Sequence, residues 1–177
     1  MRVQGKDGYY EIENGNITYY GTEPKKVRGF ELVSNAPEDT KLPTRKTEGS
    51  ACYDFYLTED VTVMPCWLQA FMKPKIIQTY IKAYMPKDEV LLLYIRSSVG
   101  LLKGITLGNN VGVIDTDYYN NEENEGNIGL VLVNRGWLPI KFKKGDRIMQ
   151  GMFVKYGVVD NDNTTGERKG GTGSTGA

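Results

Sequence analysis

Leu91-Leu92-Leu93-Tyr94-Ile95-Arg96-Ser97-Ser98 is an unbroken apolar run that ends abruptly in a cation and two hydroxyls. Five apolar residues are too few for a buried helix and carry no polar alternation, so the run reads as a central strand covered on both faces. Ser98 to Lys103 is the one stretch with helical character, and it is short. Outward from this centre the period is two residues. Ile77, Ile81, Ala83 and Met85 alternate between Lys75 and Met85, as do Ile128, Leu130 and Leu132, and then Leu138, Ile140 and Phe142. Ile148, Met152 and Val154 keep one parity, with Gln150 as the polar exception. Turn residues separate these runs at Pro86-Lys87-Asp88, Gly108-Asn109-Asn110, Arg135-Gly136 and Lys144-Gly145-Asp146. Short alternating strands at such spacing predict an all-β sandwich or jelly roll with one short helix.

Nearer the start, Tyr9-Tyr10-Glu11-Ile12-Glu13 and Asn16-Ile17-Thr18-Tyr19-Tyr20 flank Asn14-Gly15, the pair that a two-residue type I′ hairpin turn requires. The chain therefore divides into an N-terminal hairpin extension (1–28), a β-domain (29–157) and a flexible, glycine-rich C-terminal arm (158–177). The whole is 177 residues, suited to one compact domain, and no internal repeat is visible.

Lysine plus arginine total 22, as do aspartate plus glutamate, and this balance argues against a nucleic-acid binder. No apolar run is long enough for a membrane span, and the start lacks a charged-then-apolar leader pattern. The two cysteines, Cys52 and Cys66, make no disulfide framework, so a reducing cytoplasm is expected. Histidine is absent, which removes Ser-His-Asp triads, HExxH zinc sites and imidazole proton shuttles together. The chemistry must rest on carboxylates, hydroxyls, amides and arginines, and any metal should be a hard cation such as Mg²⁺.

Three segments could carry that chemistry. Arg96-Ser97-Ser98 offers a capping serine, the positive end of a helix and a guanidinium, a combination that suits phosphate. Read alone, it more often means an ordinary cap beside a solvated arginine. Asn109 to Tyr118 runs from a polar turn through an apolar stretch to Asp115 and Asp117 beside an aromatic ring. An asparagine can donate to and accept from a uracil edge, and a carboxylate can orient a water. A strand followed by an acidic turn is the plainer meaning of the same letters. The tail from Arg168 through Thr175 combines a cation, glycines and hydroxyls able to wrap phosphates, although it lacks the order of a Walker A loop.

Taken in order, these segments resemble the five motifs of the trimeric dUTPase family, including its phage-type members. Ser50-Ala51-Cys52-Tyr53-Asp54-Phe55 looks like the first motif and Arg96-Ser97-Ser98 like the second. Gly112-Val113-Ile114-Asp115-Thr116-Asp117-Tyr118 looks like the third, Gly145-Asp146-Arg147-Ile148-Met149-Gln150 like the fourth, and the glycine-rich tail like the fifth. The resemblance runs from about Gly29 to the C-terminus. It implies a jelly-roll homotrimer whose active sites are shared between chains, and hydrolysis of dUTP to dUMP and pyrophosphate. In that scheme Asp115 orients the attacking water, while Arg96, Ser97, Ser98 and Gln150 hold phosphates. Asn109, Gly112, Val113, Ile114 and Gly129 form the uracil site, and Tyr118 stacks on deoxyribose. Arg168, Thr172, Gly173, Ser174 and Thr175 close over the substrate, and Mg²⁺ is held through the phosphates. Asp54, Asp117, Asp146 and Arg147 are expected to be structural.

Three departures from the family pattern stand out. Thr172 occupies the place of an aromatic that stacks on uracil, so another ring, Tyr119 for example, would have to cover the base. Residues 119–125 form an acidic insert, expected to point into solvent or towards a partner. Cys52 replaces a motif glycine, where a β-carbon disfavours positive φ. A dCTP deaminase-like enzyme shares the fold and an Arg-Ser-Ser element, but Ile128 to Asn134 lacks the glutamate it would need. A regulatory role, with a repressor protein bound through the insert or the hairpin, is the other alternative.

Overall fold

In the computed structural model, residues 2–4, 9–19, 26–166, 168 and 170–171 are described. The N-terminal strands β1 (Arg2–Gln4), β2 (Tyr9–Glu13) and β3 (Asn16–Tyr19) form a three-stranded antiparallel sheet. Asn14 and Gly15 take φ values of 51° and 81°, the left-handed pair that the turn between β2 and β3 demands. Tyr20 lies outside the described residues.

The strands that follow are β4 (Gly29–Leu32), β5 (Tyr53–Tyr56), β6 (Val61–Val63), β7 (Ile77–Gln78) and β8 (Ile81–Tyr84). Next come β9 (Glu89–Ile95), β10 (Ile105–Leu107), β11 (Gly112–Ile114), β12 (Gly129–Leu130), β13 (Leu132–Asn134), β14 (Ile140–Phe142) and β15 (Arg147–Lys155). A four-stranded antiparallel sheet in the order β11-β9-β15-β5 faces the antiparallel pairs β10-β13, β12-β7, β14-β6 and β4-β8, the arrangement of a jelly-roll β-sandwich. Phe55, Leu91, Ile105, Ile128, Ile148 and Met149 are fully buried between them. The apolar run is central as the sequence implies: β9 pairs with β11 on one side and β15 on the other.

Several expectations need correction. The predicted strand from Lys75 to Met85 is two, because Tyr80 takes φ 59° and breaks it, although Ile77, Ile81, Ala83 and Met85 all remain buried. The register of β15 against β5 shifts between Arg147 and Met149, so Ile148 and Met149 are both buried and the expected parity is lost beyond them. Leu138 is exposed rather than inward.

There is also more than one helix among the described residues. Helix α1 (Cys66–Gln69) starts at Pro65, helix α2 (Ser97–Lys103) ends on Gly104 at φ 64°, and Thr116–Tyr118 forms a 3₁₀ turn. None of them is long and apolar enough to cross a membrane.

Candidate active site

Arg96 leaves β9 in extended geometry (φ −65°, ψ 142°) and takes the N-cap position of α2, one residue before the expected capping serine. Its side chain makes no cap bond. Arg96 Nε instead donates to Asp54 Oδ1 at 2.9 Å, and Arg147 Nη1 donates to Asp54 Oδ2 at 2.8 Å. Arg96 Nη1 also reaches the Arg147 carbonyl at 3.2 Å. Asp54 is buried, and its two oxygens are each spent on one guanidinium, a geometry that fixes both cations. The structural role expected of Asp54 thus bears directly on Arg96.

Gln150 stands opposite Asp54 on β5 and opposite Tyr94 on β9. With Arg96, Asp54, Cys52, Ser50 and Lys46 it lines a cavity of about 290 Å³. A second cavity of about 350 Å³ is also lined by Arg96, together with Ser97, Gly100, Leu101, Thr106 and Asn110. Asn110, at φ 60°, is in the lining of this cavity, and both it and Asn109 are exposed in the turn. Ser97 and Ser98 are exposed on the first turn of α2.

The carboxylate end is built on β11. Gly112 packs against Leu93, where a Cβ would sit 3.0 Å from the leucine Cβ, so glycine lets this strand lie close to β9. Strand β11 is an edge of its sheet, with Val113 exposed. Asp115 follows in extended geometry, and its carbonyl accepts from Tyr118 N at 3.1 Å to open the 3₁₀ turn. Thr116 Oγ1 donates within 3.2 Å of the Pro86 and Glu89 carbonyls, anchoring the turn on β9.

The Asp115 and Asp117 side chains stay about half exposed, at 52% and 57%, and one residue engages both. Arg168 Nη2 donates to Asp115 Oδ2 and Arg168 Nε to Asp117 Oδ1, each at 2.9 Å. The guanidinium lies 5.6 Å from the Tyr118 ring centroid. Tyr118 is buried, and its hydroxyl donates to the Asn127 carbonyl at 3.0 Å.

The 119–125 insert does not simply point into solvent. Asn121 is buried, donating to the Tyr118 carbonyl at 2.8 Å and accepting from the amides of Glu123 and Asn124. Asn124 Nδ2 donates to the Tyr118 hydroxyl at 2.9 Å, and Glu123 accepts from the amide of Gly171 in the arm. The insert therefore supports Tyr118 and receives the tail, a role invisible from its acidic composition.

Tyr119 is engaged within its own chain. Its hydroxyl donates to Glu31 at 2.6 Å, which raises the tyrosine's pKa, and its ring meets Tyr84 edge-on. Cys52 is not among the described residues with positive φ, so the motif glycine's replacement is accommodated in an ordinary backbone conformation. Burial, then the charge of Asp54, pushes its thiol pKa up. Gly129 is exposed on β12 opposite Gln78, with Ile76 filling the space a side chain would need. Thr172 to Thr175 lie outside the described residues.

One relationship governs all of this. Ile114 pairs with Leu91, so Asp115 lies level with Val90, six residues before Arg96. At about 3.3 Å per residue the two ends of β9 are roughly 20 Å apart. A single chain thus holds the Arg96 cation and the Asp115 carboxylate apart.

Fold and site together define an all-β, histidine-free protein with a pair of arginines fixed on Asp54 and a separate, half-exposed carboxylate at Asp115. Residues 38–176 match the dUTPase family, and the chain belongs to it. The deoxyuridine 5'-triphosphate nucleotidohydrolase of Lactococcus lactis subsp. lactis (strain IL1403) is 43% identical over 155 residues, which cover 86% of this chain and 99% of the relative. The solved dUTPase of Streptococcus mutans aligns with TM-score 0.67 and 37% identity over 75% of this chain and 99% of its own. The dUTPase from phage phi11 of S. aureus shares the fold with TM-score 0.62 at 20% identity, over 78% of this chain and 96% of that one.

Proposed function

We propose that this chain hydrolyses dUTP to dUMP and pyrophosphate, in a homotrimer whose sites each join the Asp115 half of one chain to the Arg96 half of another. The observation that carries this reading is the separation of Asp115 and Arg96 along β9. Each half is well ordered by its own contacts, yet neither can act on one α-phosphate alone, because reacting groups must be held within about 3–3.5 Å. A rotational assembly brings unlike ends together.

The free edge of β11 offers backbone donors and acceptors to uracil. Asn109, Gly112, Val113, Ile114 and Gly129 form this pocket, and Tyr118 supports the sugar. Arg96, Ser97, Ser98 and Gln150 neutralise and orient the phosphates, with Arg168 and the arm residues Thr172, Gly173, Ser174 and Thr175 completing the enclosure. Asp115 orients a water for in-line attack on the α-phosphorus. A new P–O bond forms, the bond to the bridging oxygen breaks, and pyrophosphate leaves as Asp115 takes up the water's proton.

Mg²⁺ is the hard cation expected with the triphosphate, held through its phosphate oxygens. Bound there, it supplies charge neutralisation at the phosphate oxygens. Cys52 and Cys66 are both free thiols, which suits a reducing cytoplasm.

The test is pyrophosphate release from dUTP against dCTP, dTTP and UTP, with Asp115→Asn as control. We expect dUTP alone to turn over rapidly, with a loss of about 10²–10⁴-fold in Asp115→Asn. Ammonia release from dCTP, or full activity in Asp115→Asn, would overturn the reading.

A further inference from the structure

We propose that Lys46 is an additional phosphate-binding cation, reaching the outer phosphates of the triphosphate beside Arg96. The inference rests on the nucleotide reading above and extends it to a residue outside the motif positions.

Lys46 lines the cavity of about 290 Å³ with Ser50, Asp54, Arg96 and Gln150. The loop that carries it is fixed from within. Arg45 Nη1 donates to the carbonyls of Glu48 and Ser50 at 3.1 and 3.0 Å, and the Thr47 and Ser50 hydroxyls meet at 2.7 Å. Arg45 is thus spent on the loop, while Lys46, its exposed neighbour, is not. Lys46 forms no ion pair among the described residues, and its ammonium lies close enough to Tyr56 to help lower that phenol's pKa, after the larger effect of the Thr44 hydroxyl.

Charge favours an anion here. Asp54 is the carboxylate of this cavity and is already engaged by both Arg96 and Arg147, so Lys46 adds positive charge to a cavity whose carboxylate is already paired. Position gives the order of contacts. Arg96 lines both the cavity that Asn110 reaches and the cavity that Lys46 reaches. A nucleotide whose inner phosphate meets Arg96 from the Asn110 side extends its outer phosphates towards Lys46. The flexible lysine stem suits a point contact with a phosphate oxygen.

The experiment compares wild type, Lys46→Ala and Lys46→Arg as full-length chains. Inorganic tripolyphosphate and dUMP are titrated separately by calorimetry, and dUTP hydrolysis is followed in parallel. Lys46→Ala should weaken tripolyphosphate binding and raise the KM for dUTP about tenfold, the scale of one charge-assisted hydrogen bond. Its kcat, its dUMP affinity and its melting temperature should stay near wild type, and Lys46→Arg should restore most of the loss. Tripolyphosphate binding unchanged in Lys46→Ala, or an equal loss of dUMP, overturns the proposal. A wild-type chain that fails to hydrolyse dUTP refutes the reading above instead, and the tripolyphosphate titration still decides the role of Lys46.

Discussion

Arg168 Nη2 lies 2.9 Å from Asp115 Oδ2, so the carboxylate assigned to direct water is engaged by a cation from the arm. Asp117 shares the same guanidinium at 2.9 Å. The arm is thereby held to its own chain's Asp115, with Glu123 accepting from Gly171 beyond it. Asp117→Asn removes one anchor without touching the assigned water-directing group. Trypsin cleavage after Arg168 in the absence of dUTP should then rise roughly 2- to 5-fold, the scale of losing one exposed ion pair. Unchanged cleavage kinetics would mean the arm does not depend on this contact.

The proposed division of the site between chains predicts complementation. Arg96→Ala and Asp115→Asn should each be nearly inactive alone. Trimers formed from an equal mixture should recover about a quarter of wild-type activity, because half the chains supply an intact Asp115 and half an intact Arg96. Sites contained within one chain would show no recovery in the mixture.

The core makes two opposite demands at neighbouring positions. Leu91 is fully buried in β9, and Leu91→Ala should cost about 2–5 kcal/mol by leaving a cavity. Gly151 sits opposite Leu93 on β15, where a Cβ would come 2.8 Å from Leu93 Cδ2 and 3.1 Å from Leu91 and Phe55. Gly151→Ala should therefore cost about 1–3 kcal/mol by overpacking. Denaturant unfolding of both variants checks the two signs of misfit.

Acid should unfold the protein through specific carboxylates. The Arg28 guanidinium beside Glu89 holds that carboxyl below its usual range. Glu31 is lowered by Lys26 and then by Tyr119, and Glu125 chiefly by Ser34. Each binds its proton more weakly folded than unfolded, so its stabilisation is complete above the ordinary glutamate value of about 4.3. That stabilisation is lost as pH falls through the lower folded value. Melting temperature should fall on acidification below about pH 4.3, and Arg28→Ala should make that fall shallower. A variant with the same acid limb as wild type would remove the Glu89 pair from the account.

Much of the fold was legible because its signals are local. The apolar run at Leu91–Ile95, the alternation at Ile128, Leu130 and Leu132, and the Asn14-Gly15 turn each state their conformation within a few residues. The misses were non-local or very short. The irregularity at Arg147–Met149 exchanges the buried face of β15, and nothing in its composition signals it. Helix α1 is four residues long and gives no amphipathic period to detect. In the site, Arg96 and Asp115 were both identified from motif order, but the engagement of Asp54 with two arginines and the support of Tyr118 by the 119–125 insert were not.

By itself the sequence determined the chemistry available and the residue types at each motif, since the absence of histidine and the order Arg96, Asp115, Gln150, Arg168 are facts of one dimension. It also determined where strand-forming runs and turns lie, because propensity and turn chemistry act over a few neighbours. Only the tertiary structure decided that Arg96 and Asp115 stand at opposite ends of β9, that Asp54 holds Arg96 in place, and that Arg168 returns to Asp115. Those relations depend on strand register and on contacts between residues far apart in the chain, such as Asp54 with Arg96 and Asp115 with Arg168. Distance along a chain carries no information about which side chains meet until the core has fixed the register.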